Sequence, residues 1–482
     1  MGQKRSHPIS LVGIAAYGHA RTATRDKGAT ITTITTRPLK RILGLGFGLA
    51  LVFGTMVGVG ILRLPGTVAA ALGDRTLIML TWTVGGLFAL MGAVSVAELA
   101  AMIPEAGGFR VYARRAFGEG VGFAVGWLDW LVGVATIAFA AVTAVAFLGV
   151  LWSPATVSPR ALAIALLAIF TALHWMGLRV GGSLTATISV AIALMLMILV
   201  VGCFIATPIA GATATPLART AASLPLTSTA VLFAFVPALR AVLTAYDGWY
   251  APIYMAEENA EPARALPRAI IGGTLLVVAL YLVINVAFLR VLSVPVLAAS
   301  QLPAADAARL VLPRGGAKLV TMISFITVLS LLNCNLLTQP RILFSIGRDG
   351  LLSAKAALVS DGGTPRIALG ATSVVALVLI LSGTFEQILA LYAVLFLLYY
   401  VSAFAAVFVL RRREPTQERP YKAFGYPFST ALVLLGSVAF LMAAIAQDPR
   451  SGLIAAAFLA GCAPVYLRMA HSRRLRAAVE PG

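Results

Sequence analysis

Acidic residues are scarce in this chain: 18 Asp and Glu in 482 residues, against 37 Lys and Arg. Charged residues of both signs make up only 11%, where a soluble domain carries about 25%. That deficit excludes an ordinary soluble surface. Cysteine is sparse too, and Cys203, Cys334 and Cys462 lie far apart in apolar segments. Without a CxxC pair or an even-numbered framework, neither a disulfide scaffold nor a thiolate metal cluster is expected. His7, His19, His174 and His471 do not cluster, so no metal site and no cofactor are expected.

What the chain has in plenty is apolar sequence: 60% of residues are hydrophobic and mean hydropathy is +0.94. Such a composition predicts an all-α polytopic protein embedded in a lipid bilayer. A span needs about 20 apolar residues. Twelve segments qualify: 43–72, 77–102, 121–151, 160–177, 184–207, 229–255, 268–292, 317–345, 366–383, 386–410, 428–446 and 451–470.

The net charge of +19 has the magnitude of a nucleic-acid binder, but its distribution excludes one. Basic residues are not interleaved with aromatics on a polar surface. They crowd instead into the tails and alternate loops, which hold 27 of the 37. This is the positive-inside pattern, and it predicts both termini in the cytoplasm; the expected location is a plasma membrane of bacterial inner-membrane type. Residues 1–38 read as a disordered, basic cytoplasmic tail and residues 471–482 as a short one. "ISLVGIAAYGHA" is too short and weak for a signal peptide. "MGQKRS" fits an N-myristoylation pattern, although an uninformative tail is the preferred reading.

Glycine interrupts two spans. The first reads "GTMVGVGILRLPG" (residues 54–66) and the sixth "TAYDGWYAP" (residues 244–252). They hold equivalent places in two five-helix halves, which points to a transporter binding site at the membrane midplane. Unwound backbone is tolerable at that depth only where it lines a cavity. Close helix packing through Gly54 and Gly58 is the alternative; Gly58-Val59-Gly60 followed by Pro65 favours a broken helix. The implied layout is a first five-helix half over 39–207, a second over 229–410, and two further helices over 428–470.

Asp247, in the second break, is an expensive residue for a bilayer, by about 2.5–3.5 kcal/mol on insertion scales. It reads as the N-cap of an inner half-helix, a role worth about 1 kcal/mol. The positive helix end favours its charge and loss of hydration opposes it, so Asp247 is also a candidate proton carrier. Among the other charges, Glu98 reads as a loop anchor, and Asp129, between Trp127 and Trp130, has no evident partner. Arg240 lies about 10 Å up the helix from Asp247. Glu257 and Glu258 are expected to pair with Arg264 and Arg268.

Five stretches, in order, resemble one family: "VGVGILRLPG", "AELAAMIPEAGGFRVYARRAFG", "AYDGWYAPIYMAEENAEPARALPRAI", "LNCNLLTQPRILFSIGRDGLLS" and "RPYKAFGYP". The chain resembles the amino acid–polyamine–organocation superfamily, and within it the bacterial relatives of L-type amino-acid transporters, from about Leu39 to Arg468. The resemblance implies twelve transmembrane helices in a 5+5 inverted repeat, with helices 1 and 6 broken and two helices added. It also implies an amino-acid site between those breaks. The α-carboxylate would lie on backbone N–H groups of Gly58, Val59, Gly60 and Ile61. The α-ammonium would meet carbonyls of Met56, Val57, Thr244, Ala245 and Asp247, with Tyr246 beside them.

Three positions depart from the family pattern. Thr244 stands where relatives often carry a lidding aromatic, and Ile192 where many bacterial relatives carry a lysine. Thr327 and Ser330 lie where sodium-coupled relatives place hydroxyls, but Leu331 follows, and hydroxyls on membrane helices commonly bond their own helix carbonyls. H⁺ is therefore expected ahead of Na⁺ as coupling ion, with Asp247, Thr327 and Ser330 as coupling candidates.

The resulting expectation is a permease, not an enzyme, that moves amino acids by alternating access. Neutral substrates come first because no acidic cluster is evident at the breaks. A cationic amino acid or polyamine, countered by Asp247, is the alternative. A non-transporting sensor would need a folded cytoplasmic domain that short tails do not supply. An intramembrane enzyme built on Asp129 and Asp247 would need a proximity that spacing does not indicate.

Overall fold

The computed structural model describes residues 38–152, 157–206 and 228–479. The expected tail at 1–38, apart from Pro38, and the 207–227 connection lie outside the described residues. Helices dominate what is described; the single β feature is an isolated parallel bridge between Leu43 and Asn259.

The first apolar segment is broken as its glycines suggest. α1 (Leu45–Met56) and α2 (Val59–Leu72) meet at 46°, with Val57 and Gly58 in extended conformations between them. α2 stops at Gly73, whose φ of 64° suits only a residue without a Cβ, and Asp74 then caps α3 (Arg75–Met102) by accepting the Leu77 N–H at 2.9 Å. A short amphipathic helix α4 (Phe109–Phe117) precedes α5 (Glu119–Leu151), α6 (Pro159–Trp175) and α7 (Leu178–Ile205).

The second break follows α8 (Ser228–Ala245). Residues 246–250 turn, and a 3₁₀ helix (Ala251–Glu258) continues the path. Beyond it come α9 (Pro262–Val291), α10 (Val294–Ala299), α11 (Pro303–Val311) and α12 (Gly316–Arg348). The chain ends with α13 (Arg366–Ser382), α14 (Phe385–Ala390), α15 (Tyr392–Arg413), α16 (Phe428–Gln447) and α17 (Pro449–Val479). α17 runs on as helix through most of the segment expected to be a tail.

Eight of these helices are long and apolar enough to cross a membrane, and the bent α1/α2 pair makes a ninth; α6, residues 234–245 of α8 and α13 are shorter apolar helices. The chain is a multi-pass membrane protein. Small residues set its helix spacing. A Cβ on Gly133 of α5 would fall 2.0 Å from the end of the Gln339 side chain of α12, so glycine makes room there for that side chain.

Charged groups on the α4 side hold the connections. Glu98, at the end of α3, accepts from Arg411 at 2.9 Å and from the Ala423 N–H at 2.7 Å, anchoring the loop at 419–427. Glu257 and Glu258 do not pair with Arg264 and Arg268 as expected. The 3₁₀ helix directs them back to α12, where Glu258 meets Arg341 at 2.9 Å and Glu257 meets Arg348 at 2.7 Å. The Glu258–Arg341 pair is almost fully buried, at 0% and 1% exposure.

Removing one partner of a buried ion pair strands the other, at about 3–5 kcal/mol. Arg341→Met should therefore lower the melting temperature of the purified protein markedly. Adding Glu258→Gln should recover much of the loss, and a single variant that melts like the parent would show that the pair holds nothing together.

Candidate functional site

The two breaks touch. The Thr55 hydroxyl lies 2.8 Å from the Gly248 carbonyl and 2.7 Å from its own helix carbonyl at Leu51, so one proton serves both. Gly248 has φ +106°, and a Cβ there would sit 2.9 Å from the Thr55 backbone. Only glycine makes this crossing.

A cavity of about 610 Å³ opens at the crossing. It follows α5 from Asp129 to Phe147, a run of about 27 Å at the helical rise, toward the Leu151 end. Met56, Val57, Gly58, Val59 and Gly60 all line it, as do Thr244, Ala245, Asp247 and Thr327. Ile61 is instead buried in the core, one helical step beyond the wall. Tyr246 turns away to stack on Tyr281, ring centroids 5.1 Å apart. Ser330 also stays outside, donating to the Gly54 carbonyl at 3.0 Å, while Thr327 donates to Ser324 of its own helix at 2.9 Å.

At the head of α2 the main chain is exposed to this cavity. Gly58 stands at the N-cap without a side-chain cap, so the first N–H groups of α2 carry partial positive charge and no internal acceptor. A Cβ on Gly58 would meet nothing within 4 Å, and one on Gly60 would meet only ordinary contacts at 3.6 Å or more. Protein packing does not demand glycine at either position. Their smallness leaves the N–H groups open to the cavity. On the carbonyl side, Tyr281 already donates to Met56 at 2.7 Å.

Asp247 does not cap the following helix. The 3₁₀ helix has Tyr250 at its N-cap and no side-chain cap, because the Gly248 turn swings the carboxylate away. Asp247 accepts instead from the hydroxyls of Tyr392 and Tyr400, and from Tyr250 at 3.3 Å. Asp129 accepts from Tyr254 at 2.8 Å and lines the same cavity, a proximity that sequence spacing did not indicate. The tyrosines left a trace in "LYAVLFLLYY": Tyr392, Tyr399 and Tyr400 fall at i, i+7 and i+8, one face of a helix. Ile192 is buried, and the α7 side chain that hydrogen-bonds the broken helix is Ser189, which donates to the Ala50 carbonyl at 2.8 Å.

The cavity is closed at the α4 end. Phe109 stacks on Tyr399 with centroids 5.0 Å apart and packs on Tyr250 at 4.8 Å. Behind it, Arg110 bonds Ser345 and Asp349, and Arg114 pairs with Asp349 at 2.6 Å and Glu105 at 2.8 Å. Among the described residues, no group of three or more His, Cys, Asp or Glu is placed to hold a metal. An uncapped helix N-terminus, main-chain carbonyls and two carboxylates thus share one cavity.

The family model for amino acid permeases matches residues 48–462. The serine/threonine exchanger SteT of Bacillus subtilis is 29% identical over 438 residues, covering 89% of this chain and 97% of the relative. The b(0,+)-type amino acid transporter 1 of Mus musculus is 26% identical over 432 residues, 88% of this chain and 86% of its own length. An uncharacterized transporter of Mycobacterium tuberculosis, Rv1999c, is 30% identical over 271 residues, 56% of this chain and 58% of its own. The chain belongs to the amino acid permease family, within the amino acid–polyamine–organocation superfamily.

The glycines at the two breaks should respond differently to substitution. Gly248→Ala forces a left-handed residue against the Thr55 backbone, a strain of about 1–3 kcal/mol, and should lower the melting temperature. Gly58→Ala should melt as the parent does. Equal stability of the two variants would contradict the crossing described above.

Proposed function

We propose that this permease carries neutral amino acids across the plasma membrane by alternating access, with both termini in the cytoplasm. In this reading twelve spans form two inverted five-helix repeats and an added pair, and α1/α2 and α8 with its 3₁₀ continuation are broken helices 1 and 6. The observation that carries the proposal is the uncapped N-terminus of α2 on the cavity wall. A substrate α-carboxylate would lie on the N–H groups of Gly58, Val59 and Gly60. The α-ammonium would lie among carbonyls of Val57, Thr244 and Ala245, near Asp247. Main chain reads the head group because every amino acid shares it. The apolar cavity walls, among them Val132, Val328 and Leu331, would receive the side chain. A serine/threonine exchanger among the relatives supports a neutral substrate.

One observation favours a second reading. Asp129 shares the cavity with Asp247, so a cationic side chain or polyamine would find a second carboxylate there. For coupling, Asp247 is the candidate proton carrier. The hydroxyls of Thr327 and Ser330 already bond main-chain carbonyls, and Leu331 offers no ligand, which puts Na⁺ second.

Gly60→Val should fold, since its neighbours leave room, yet lose binding and uptake of labelled substrate in proteoliposomes. A monodisperse variant with normal transport would rule out the α2 head-group site. In competition assays, Ser, Ala or Leu should displace label better than Arg, Lys or putrescine, and the reverse ranking would promote the second reading.

Asp247→Asn keeps the hydrogen bonds of a carbonyl oxygen but cannot ionise. If Asp247 carries the coupled proton, the variant should exchange substrate while failing to accumulate it under an inward proton gradient. An unchanged dependence on pH would leave Asp247 as the centre of the tyrosine cluster alone.

A further inference from the structure

A second cavity, of about 430 Å³, adjoins the first across the wall formed by α8 and α15. Thr244 lines both cavities; Tyr400 lines the second while its hydroxyl donates to Asp247 in the first. Its deep walls are aromatic, with Trp249 and Phe404 buried and Phe88 and Phe440 in edge-to-face contact at 6.2 Å. Its rim is polar and exposed: Arg240 near the middle of α8, and Gln447 and Asp448 at the turn between α16 and α17.

The rim charges are opposite and unspent on each other. Arg240 donates to the Gln447 side-chain oxygen, and no described carboxylate lies within ion-pair distance of it. Asp448 accepts from the hydroxyl and the N–H of Ser451, which hold its carboxyl below the usual range, so it stays charged near neutral pH.

A cation and an anion at the rim, above an aromatic interior, complement a zwitterion with an apolar side chain. The volume lies within the range of about 300–1,000 Å³ typical of small-molecule sites, and it suits one amino acid better than the paired chains of a phospholipid. We infer that this cavity is a second, regulatory amino-acid site, which takes one amino acid with a large apolar side chain. The ligand carboxylate lies on Arg240, its ammonium toward Asp448, and its side chain between Trp249 and Phe440. Occupancy props α8 against α15 and α16 and bears on Tyr400, which holds Asp247. The amino acid bound here therefore slows transport without competing for the substrate cavity. The inference rests on the permease reading for its consequence, and on the second cavity alone for its ligand.

The test uses purified full-length protein and labelled phenylalanine. In the Gly60→Val background, about one phenylalanine per chain should still bind. Arg240→Gln, at the exposed rim, should weaken that binding at least about tenfold, the loss expected for a hydrogen bond to a charged group. Ala444→Trp, which fills the cavity, should abolish it. With Gly60 intact, Arg240→Gln should keep basal uptake and lose noncompetitive inhibition by phenylalanine. Absence of binding in Gly60→Val, or binding indifferent to both second-cavity substitutions, would overturn the inference. So would displacement by short-chain phosphatidylethanolamine at equal potency, which would assign the cavity to lipid. Two sites surviving in Gly60→Val would instead sink the head-group assignment at α2, and the Arg240 comparison would still decide the second cavity.

Discussion

Main-chain groups freed inside a membrane have to find partners in the protein, because lipid offers none. Around α1 the acceptors have found them. Ser189 reaches the Ala50 carbonyl, Ser330 the Gly54 carbonyl and Tyr281 the Met56 carbonyl, while Thr55 reaches across to Gly248. At the head of α2 the Gly58 N–H meets the Tyr281 hydroxyl, and no side chain caps the N–H groups that follow. In the proposed site an incoming carboxylate would supply that missing acceptor, which would tie the order of the broken helix to the substrate.

The acidic groups obey the same rule with side chains as donors. Asp247 loses its expected backbone N–H partners when Gly248 turns the chain, and hydroxyls from α15 replace them. Hydrogen-bonded clusters of this kind gain strength in a low dielectric and are costly when incomplete. Tyr400, on the wall of the second cavity, donates to Asp247 in the first, so a single hydroxyl joins the two cavities.

Much of the helix plan and both breaks were legible in the sequence, since apolar period and glycine placement are local signals. The carboxylate partners were not. Tyr392 and Tyr400 lie 145 and 153 residues from Asp247, Tyr254 lies 125 from Asp129, and Arg341 lies 83 from Glu258. Only the fold brings such pairs together. Rotation about a helix axis was the other blind spot. Ile192 and Ser189 differ by less than one turn, yet it is Ser189 that hydrogen-bonds α1, while Ile192 is buried in the core. Likewise Tyr246 sits next to Asp247 and faces the other cavity.

The ion pairs behind Phe109 at the closed end of the cavity are not equally easy to release. Arg114, Glu105, Arg348 and Glu257 are partly exposed, so their pairs exchange with water at little cost. Arg110 is 1% exposed, and separating it from Asp349 would strand a buried guanidinium. In an alternating-access cycle the cheap contacts are the ones to break. Arg110 and Asp349 then travel together, which keeps α4 attached to the end of α12. Of the elements that pack on Phe109, the 3₁₀ helix is itself tied to α12 by the buried Glu258–Arg341 pair, whereas Tyr399 of α15 meets Phe109 by ring stacking. Under the proposed alternating-access cycle, α15 is then the element freer to leave the closed end, and the 3₁₀ helix stays with α12.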